Sequence, residues 1–286
     1  MRKLIFALAA VALSLGVLAA PVSAATPSSV AAKAATPPDH IVSLSPTATE
    51  MLFAIGAGKQ VVAVDDQSSY PKNAPRTKLS GFDVNVEAIT KYSPDLVVLS
   101  DDATLSQFKT LGIKTLVLTA AKKLTDSYRQ INQLGTLTGH VAAATALVAK
   151  IKAGVAAAVA QVPTRKTKPT AYYELDDTFF SAKSSTFIGS LLQLAGLKNI
   201  ADQAKGSDYP QLSAEYVVSS DPDVIFLADT KCCNQSAATL TSRAGFSDVR
   251  AVKGRHVIAL DDDIASRWGP RVTILLGQIV QATKTL

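Results

Sequence analysis

Apolar positions along the chain gather into short continuous runs separated by polar, turn-forming clusters. This pattern predicts strands buried on both faces rather than a half-exposed alternating sheet. In the first half the runs are Ile41 to Leu44, Val61 to Val64, Leu96 to Leu99 and Ile113 to Leu118; in the second they are Thr170 to Leu175, Val224 to Leu227 and His256 to Leu260. Helical spacing fills the gaps between them. Ser45 and Pro46 supply a cap and a first-turn proline for a helix running through Met51, Leu52 and Ile55 to Gly56, and further helices are predicted near Phe187 to Leu194 and Pro270 to Thr283. Strands alternating with helices predict an α/β fold with small, mostly parallel sheets.

Two fifteen-residue stretches, Glu87 to Asp101 and Glu215 to Asp229, align without a gap at a constant offset of 128 residues. They share Glu, Pro, Asp, Leu and Asp at matching places, as in Glu87, Pro94, Asp95, Leu99 and Asp101. Asn85 and Ser213 each precede the Glu by two positions as helix caps, which puts Glu87 and Glu215 in the first turn of a short helix. The Pro-Asp ends that helix and a buried strand follows. One unit used twice predicts two similarly built lobes. Between them, Thr125 to Val162 carries no strand signal, is rich in alanine and ends at Pro163. A helix from His140 to Gln161 would span about 33 Å at ~1.5 Å per residue. The expected architecture is two Rossmann-like lobes, residues 40–124 and 164–286, joined by one long rigid α-helix within a connector at 125–163.

The N-terminus changes the picture of where the chain works. Met1-Arg2-Lys3 leads into an uncharged run from Leu4 to Leu18, and Val22-Ser23-Ala24 offers small residues for cleavage, so residues 1–24 read as a secretory signal peptide. An uncleaved anchor is the alternative, although the run is shorter than the ~20 residues a spanning helix needs. Residues 25–39 read as a flexible linker, and no cysteine follows the apolar run to carry a lipid. No other stretch is expected to span a bilayer, so the rest is expected to be soluble in the periplasm or cell envelope, as a monomer.

Composition then removes one class of partner. The formal net charge of +6 counts Arg2 and Lys3; without them 29 basic residues become 27 against 23 acidic ones. The remaining basic residues are scattered and lack interleaved aromatics, which argues against nucleic-acid binding.

The ordered series Ile41-Val-Ser-Leu-Ser-Pro-Thr-Ala-Thr-Glu50, Gly56-x-Gly58-x-x-Val61, Tyr70-Pro71, Gly81-Phe82, Asn85-x-Glu87, Pro94-Asp95, Glu215, Pro222-Asp223 and Gly269-Pro270-Arg271 resembles the class III, helical-backbone substrate-binding proteins of ABC importers. These capture cobalamin, ferric siderophores or haem. The resemblance runs from Ile41 to the C-terminus and implies delivery of a cobalt- or iron-containing chelate to permease subunits. In that family each lobe presents one surface glutamate to arginines of the permease, and Glu87 and Glu215 fall on those positions. A first-turn glutamate also suits the helix dipole wherever it occurs, which is the alternative reading of both.

In open α/β sheets ligands bind beyond the carboxyl ends of the strands. The residues there that are expected to touch ligand are Ser45, Tyr70, Phe82, Asp101, Tyr173, Glu174, Asp229, Asp262, Arg267 and Trp268. Acidic residues at or just past the strand ends, Asp65, Asp66, Asp101, Asp102, Glu174, Asp176, Asp177, Asp229 and Asp261 to Asp263, outnumber Lys183, Lys231 and Arg267, so the cleft is expected to favour a neutral or cationic chelate, such as cobalamin or a ferric hydroxamate, over a ferric catecholate. Asp also caps helices and starts turns, which accounts for about half of these positions. The family usually has proline at the place of Trp268. His40, His140 and His256 avoid the strand ends, so no metal site and no separate cofactor are expected. A haem ligated through Tyr70 or Tyr173 remains an alternative, as does ferric-catecholate binding. Cys232 and Cys233 are either bridged to each other or free thiols. A secreted carboxylate-dependent enzyme is the rival class, but the chain has no Gly-x-Ser-x-Gly, His-Glu-x-x-His or phosphate loop, and an enzyme is not expected.

Overall fold

The computed structural model describes residues 36–286, so the signal-peptide expectation and most of the linker expectation lie outside the described residues. The short apolar runs form two four-stranded parallel sheets. The first contains β1 (Ile41–Ser43), β2 (Val61–Val64), β3 (Leu96–Leu99) and β4 (Lys114–Val117) in the order β2-β1-β3-β4. The second contains β5 (Thr170–Glu174), β6 (Lys198–Asn199), β7 (Val224–Leu227) and β8 (Val257–Ala259) in the order β6-β5-β7-β8. The two orders are the same topology, as the 128-residue repeat predicts. The apolar pattern gives no sign of β6, because its two residues are polar. It forms because Lys198 and Asn199 continue the ladder beside Thr170 and Ala171.

Between the first-half strands lie α1 (Pro46–Ala54), α2 (Val86–Thr90) and α3 (Leu105–Thr110), and α4 (Leu124–Thr138) and α5 (Val141–Val159) follow β4. The second half carries α6 (Phe187–Leu194), α7 (Ala214–Ser220), α8 (Ala237–Thr241), α9 (Arg250–Lys253), α10 (Asp262–Ala265) and α11 (Val272–Thr283).

Alternation along the strands distributes the core. Ile41, Leu96 and Val98 face one way with Ala171, Tyr173, Val224 and Phe226, and all seven belong to a single apolar cluster shared with α1, α4, α5, α6 and α11. Their sequence neighbours face the other way, into two private clusters. Val42, Val97 and Leu99 pack with α2 and α3, while Tyr172, Ile225 and Leu227 pack with α7, α8 and α9. Successive strand side chains point to opposite faces, so each sheet buries one side against its own helices and the other against a core common to both.

The connector folds as two helices. Gly139 adopts a left-handed φ of 78° that ends α4, and a Cβ at Gly135 would collide with that of Ala144, so α4 and α5 cross closely there. The 19-residue α5 spans about 28 Å and meets α11 near Gly154 and Thr273. By length and composition alone α5 could cross a bilayer, with mean hydropathy 1.6, contrary to the expectation that no further stretch is long enough. Its apolarity is largely alanine, and Lys150 and Lys152 interrupt it.

The repeated Pro-Asp does more than end a helix. The Asp95 carboxylate accepts the backbone N–H groups of Asp39 and His40, each at 2.9 Å, just ahead of β1. The Asp223 carboxylate accepts the Thr170 N–H at 2.7 Å and its hydroxyl at 2.9 Å, at the start of β5. Each lobe therefore clamps the entry of its first strand with the same residue of the repeat. Asp223 is the more buried and also pairs with Arg250 at 2.6 Å. Urea unfolding should show Asp223→Ala losing about 2 kcal/mol and Asp95→Ala about 1 kcal/mol; equal, near-zero losses would contradict the clamp.

Candidate functional site

All strands being parallel, each sheet has one carboxyl edge, and the two edges face each other. They cross at two places. The β2 and β8 loops meet where Ser69 Oγ donates to Asp263 at 3.1 Å and Arg267 donates to the Gln67 carbonyl at 2.8 Å. The β4 and β6 loops approach through Lys122 and Asp208 at 3.9 Å. The sheet orders put the ends of β1 and β3, and of β7 and β5, between these crossings. That interval is the candidate ligand cleft.

The first crossing is organised by Glu50, which is 2% exposed on α1. Arg267 donates to its carboxylate at 2.9 Å, and Arg271 donates through Nε at 2.9 Å and through a second nitrogen. Arg267 also pairs with Asp263 at 2.9 Å. Arg271 lies over the Tyr70 ring, 4.4 Å from its centre. Trp268 donates its indole N–H to Gln130 at 2.7 Å, and its carbonyl accepts from Ser127. Of these two residues expected to touch ligand, Arg267 therefore joins the lobes and Trp268 ties the second lobe to α4. Tyr70 lines a cavity of 720 Å³ bounded by Phe53 and Glu50 of α1, Leu147, Lys150 and Ile151 of α5, and Arg271. This cavity lies on the helical side of the junction.

In the second lobe, Glu174 is fully buried and receives Arg243 in a two-pronged pair at 2.7 and 2.8 Å, with the Tyr172 hydroxyl at 3.0 Å. The Arg243 guanidinium also lies near the Phe179 and Phe246 rings. The sequence reading missed Arg243, which lies 69 residues beyond its partner. Asp229, beside this pair, is buried, and neither of its carboxylate oxygens has a hydrogen-bond donor. Desolvation, then the adjacent Glu174 carboxylate, push Asp229 up to about 7. Asp65, at the end of β2, is likewise raised by desolvation and keeps one unpartnered oxygen.

The remaining expected contacts separate into groups. Tyr173 is a core residue: β5 turns it into the shared cluster and its hydroxyl donates to the Ala265 carbonyl at 3.1 Å, so it presents no ring to the cleft. Ser45 is buried as the α1 cap and accepts the Ala48 N–H. Asp101 is exposed but accepts the Ala103 N–H at 3.0 Å as a turn former. Asp262 accepts the backbone N–H groups of Thr230, Lys231 and Cys232, which closes the loop after β7. Phe82 is 91% exposed on its loop and is free to meet a ligand. The carboxylate-lined cleft expected from sequence is thus corrected, because most of these acids are satisfied within the protein. Among the described residues no three His, Cys, Asp or Glu side chains converge as a metal site.

Asp229 gives this site a pH signature. Its folded value lies above the ordinary 3.8, so folding favours the protonated form. Its stabilising contribution is complete below about pH 4 and is lost as pH rises through about 7. Asp229→Asn should flatten stability over that interval and raise it near pH 8 by about 1–2 kcal/mol. Urea midpoints across a pH series check this, and a wild-type curve with no loss between those limits would refute it.

A family model described as a periplasmic binding protein matches residues 41–264. A cobalamin-binding protein of Halobacterium salinarum is 32% identical over 257 residues, covering 86% of this chain and 69% of its own. The ABC transporter substrate-binding lipoprotein YvrC of Bacillus subtilis is 29% identical, covering 82% of this chain and 76% of its own. Among solved structures, the periplasmic haem-binding protein RhuT of Roseiflexus superposes with a TM-score of 0.75 at 26% identity, covering 86% of this chain and 99% of its own. With the match extending from β1 through α10, across both sheets, the chain belongs to the periplasmic binding protein family.

Proposed function

We propose that this protein captures a corrinoid of the cobalamin type outside the cytoplasm, between the carboxyl edges of its two sheets, and delivers it to an ABC importer. The observation that carries this reading is the 32% identity to a cobalamin-binding protein over 86% of the chain, which includes both sides of the cleft. The cleft residues support it by what they leave free. Phe82 offers a flat apolar surface, whereas Arg267 and Arg243 are engaged by Glu50 and Glu174 and form no cluster for a polyanion. The haem alternative, suggested by the likeness to RhuT, loses support from both tyrosines, since Tyr173 is committed to the core and Tyr70 lies under Arg271 on the helical side of the junction.

Delivery rests on the paired glutamates. Glu87 and Glu215 occupy the second position of α2 and α7, each exposed, behind the side-chain caps Asn85 and Ser213. Both helices cover the private face of their sheet, so each lobe presents its carboxylate away from the shared core. Such charges steer and orient docking more than they tighten it.

Purified protein mixed with cyanocobalamin, ferrioxamine, a ferric catecholate and haemin should retain colour and gain melting temperature with cyanocobalamin. Exclusive binding of the catecholate or of haemin would overturn the corrinoid assignment. Reversing both docking charges, Glu87→Arg with Glu215→Arg, should leave cyanocobalamin affinity within about twofold while abolishing uptake by cells; a variant that imports normally would refute the docking role.

A further inference from the structure

Cys232 and Cys233, the chain's two cysteines, lie in the loop that leaves β7 at the carboxyl edge of the sheet. Neighbouring side chains on an extended segment point apart, yet these Sγ atoms face each other at 2.6 Å. The backbone holds them so. Asp262 accepts the Lys231 and Cys232 N–H groups at 2.9 and 3.0 Å, the Asp229 carbonyl accepts those of Cys233 and Gln235, and Asn234 turns the chain with a φ of 54°. The same loop is linked to the other lobe through Asp263. Lys231 pairs with Asp261 at 2.7 Å and Asp263 at 3.1 Å, and Asp263 accepts Ser69 Oγ and pairs with Arg267.

We infer that Cys232 and Cys233 form a two-electron thiol–disulfide couple whose state is transmitted through Lys231 and Asp263 to the crossing between the β2 and β8 loops. The oxidant is an external disulfide, the class of oxidant available outside the cytoplasm. Desolvation and the adjacent sulfur push the Cys232 thiol up, and the first deprotonated sulfur of the pair opens the exchange. One of the two thiolates attacks one sulfur of the external disulfide, forming a mixed disulfide and releasing one thiol. The neighbouring thiol then loses its proton and displaces the second small thiol. Two protein thiols and one external disulfide become one ring disulfide and two small thiols, the two electrons and two protons passing to the oxidant. Consecutive Cα atoms lie about 3.8 Å apart, below the usual disulfide span, so the bridge is readily reduced again and acts as a couple rather than a structural staple.

The test uses the purified chain equilibrated with varied ratios of reduced and oxidised glutathione, then unfolded in alkylating reagent for intact-mass measurement. Oxidising mixtures should convert it to a monomer lacking two hydrogens, without alkyl groups or glutathione. Cys232→Ser and Cys233→Ser should each trap glutathione on the remaining sulfur and fail to give the monomer lacking two hydrogens. Two alkylatable thiols under all ratios, or only adducts and linked dimers, would overturn the couple. Amide hydrogen exchange at residues 231–233 and 67–69 should differ together between the two forms, by about threefold or more; unchanged exchange at 67–69 would overturn the link across the lobes. Neither readout depends on which ligand is bound, so failure of the corrinoid assignment would leave both intact.

Discussion

Glu50 places a carboxylate in the middle of α1, away from water, and every donor it accepts comes from Arg267 and Arg271 of the opposite lobe. A buried carboxylate with two guanidinium partners is costly to break, since removing one side leaves a desolvated charge worth about 3–5 kcal/mol. Apolar residues of similar volume could serve stability equally well, so what this cluster adds is register. It fixes where the β8 loop meets α1, sets Arg271 over Tyr70, and brings Trp268 to Gln130. The opposite crossing is built differently. Lys122 and Asp208 are exposed and 3.9 Å apart, and exposed pairs of that kind contribute about 0–1 kcal/mol. One edge of the cleft is therefore locked and the other lightly latched. The apolar cluster is continuous beneath both sheets.

How much of this could be read beforehand follows from the range of each interaction. Strands and helices are local, so the apolar runs at Val61–Val64, Leu96–Leu99 and Val224–Leu227 and the helix at Phe187–Leu194 agree with the structure to the residue. The repeat was legible as two lobes, yet the purpose of its aspartates was not, because Asp95 and Asp223 act on strand entries 55 and 53 residues away. Side-chain direction was harder still. Tyr172 and Tyr173 are equivalent as composition, and only the pleat decides which joins the outer cluster with Glu174 and which enters the shared core. Arg267 was read as a ligand contact because its partner, Glu50, lies 217 residues earlier. Glu50 and its other partner, Arg271, stand in the motifs that carry the family resemblance, but nothing in their spacing shows that they meet.

The same logic changes what the acidic strand ends imply about the ligand. Asp101, Asp261 and Asp262 cap turns or helices, Asp263 pairs with Arg267 and Lys231, and Glu174 is neutralised by Arg243. Asp229 is driven toward its neutral form by burial. These groups shape the cleft walls by holding loops and amides, and they leave little unpaired negative charge to select a cation. What remains at the surface near the strand ends is Asp66, Asp83, Asp102 and Asp177, all solvent-exposed, while Lys231 and Lys122 are held by Asp261, Asp263 and Asp208. Exposed carboxylates are screened by solvent and salt, so the cleft discriminates more by width and apolar contact than by countercharge. Width is set by α5 and the Glu50 junction, and apolar contact is offered by Phe82. A bulky ligand with its charge spread or internally balanced, as in a corrinoid, meets both conditions. A compact polyanion would need guanidinium groups that this fold has already spent on its own carboxylates.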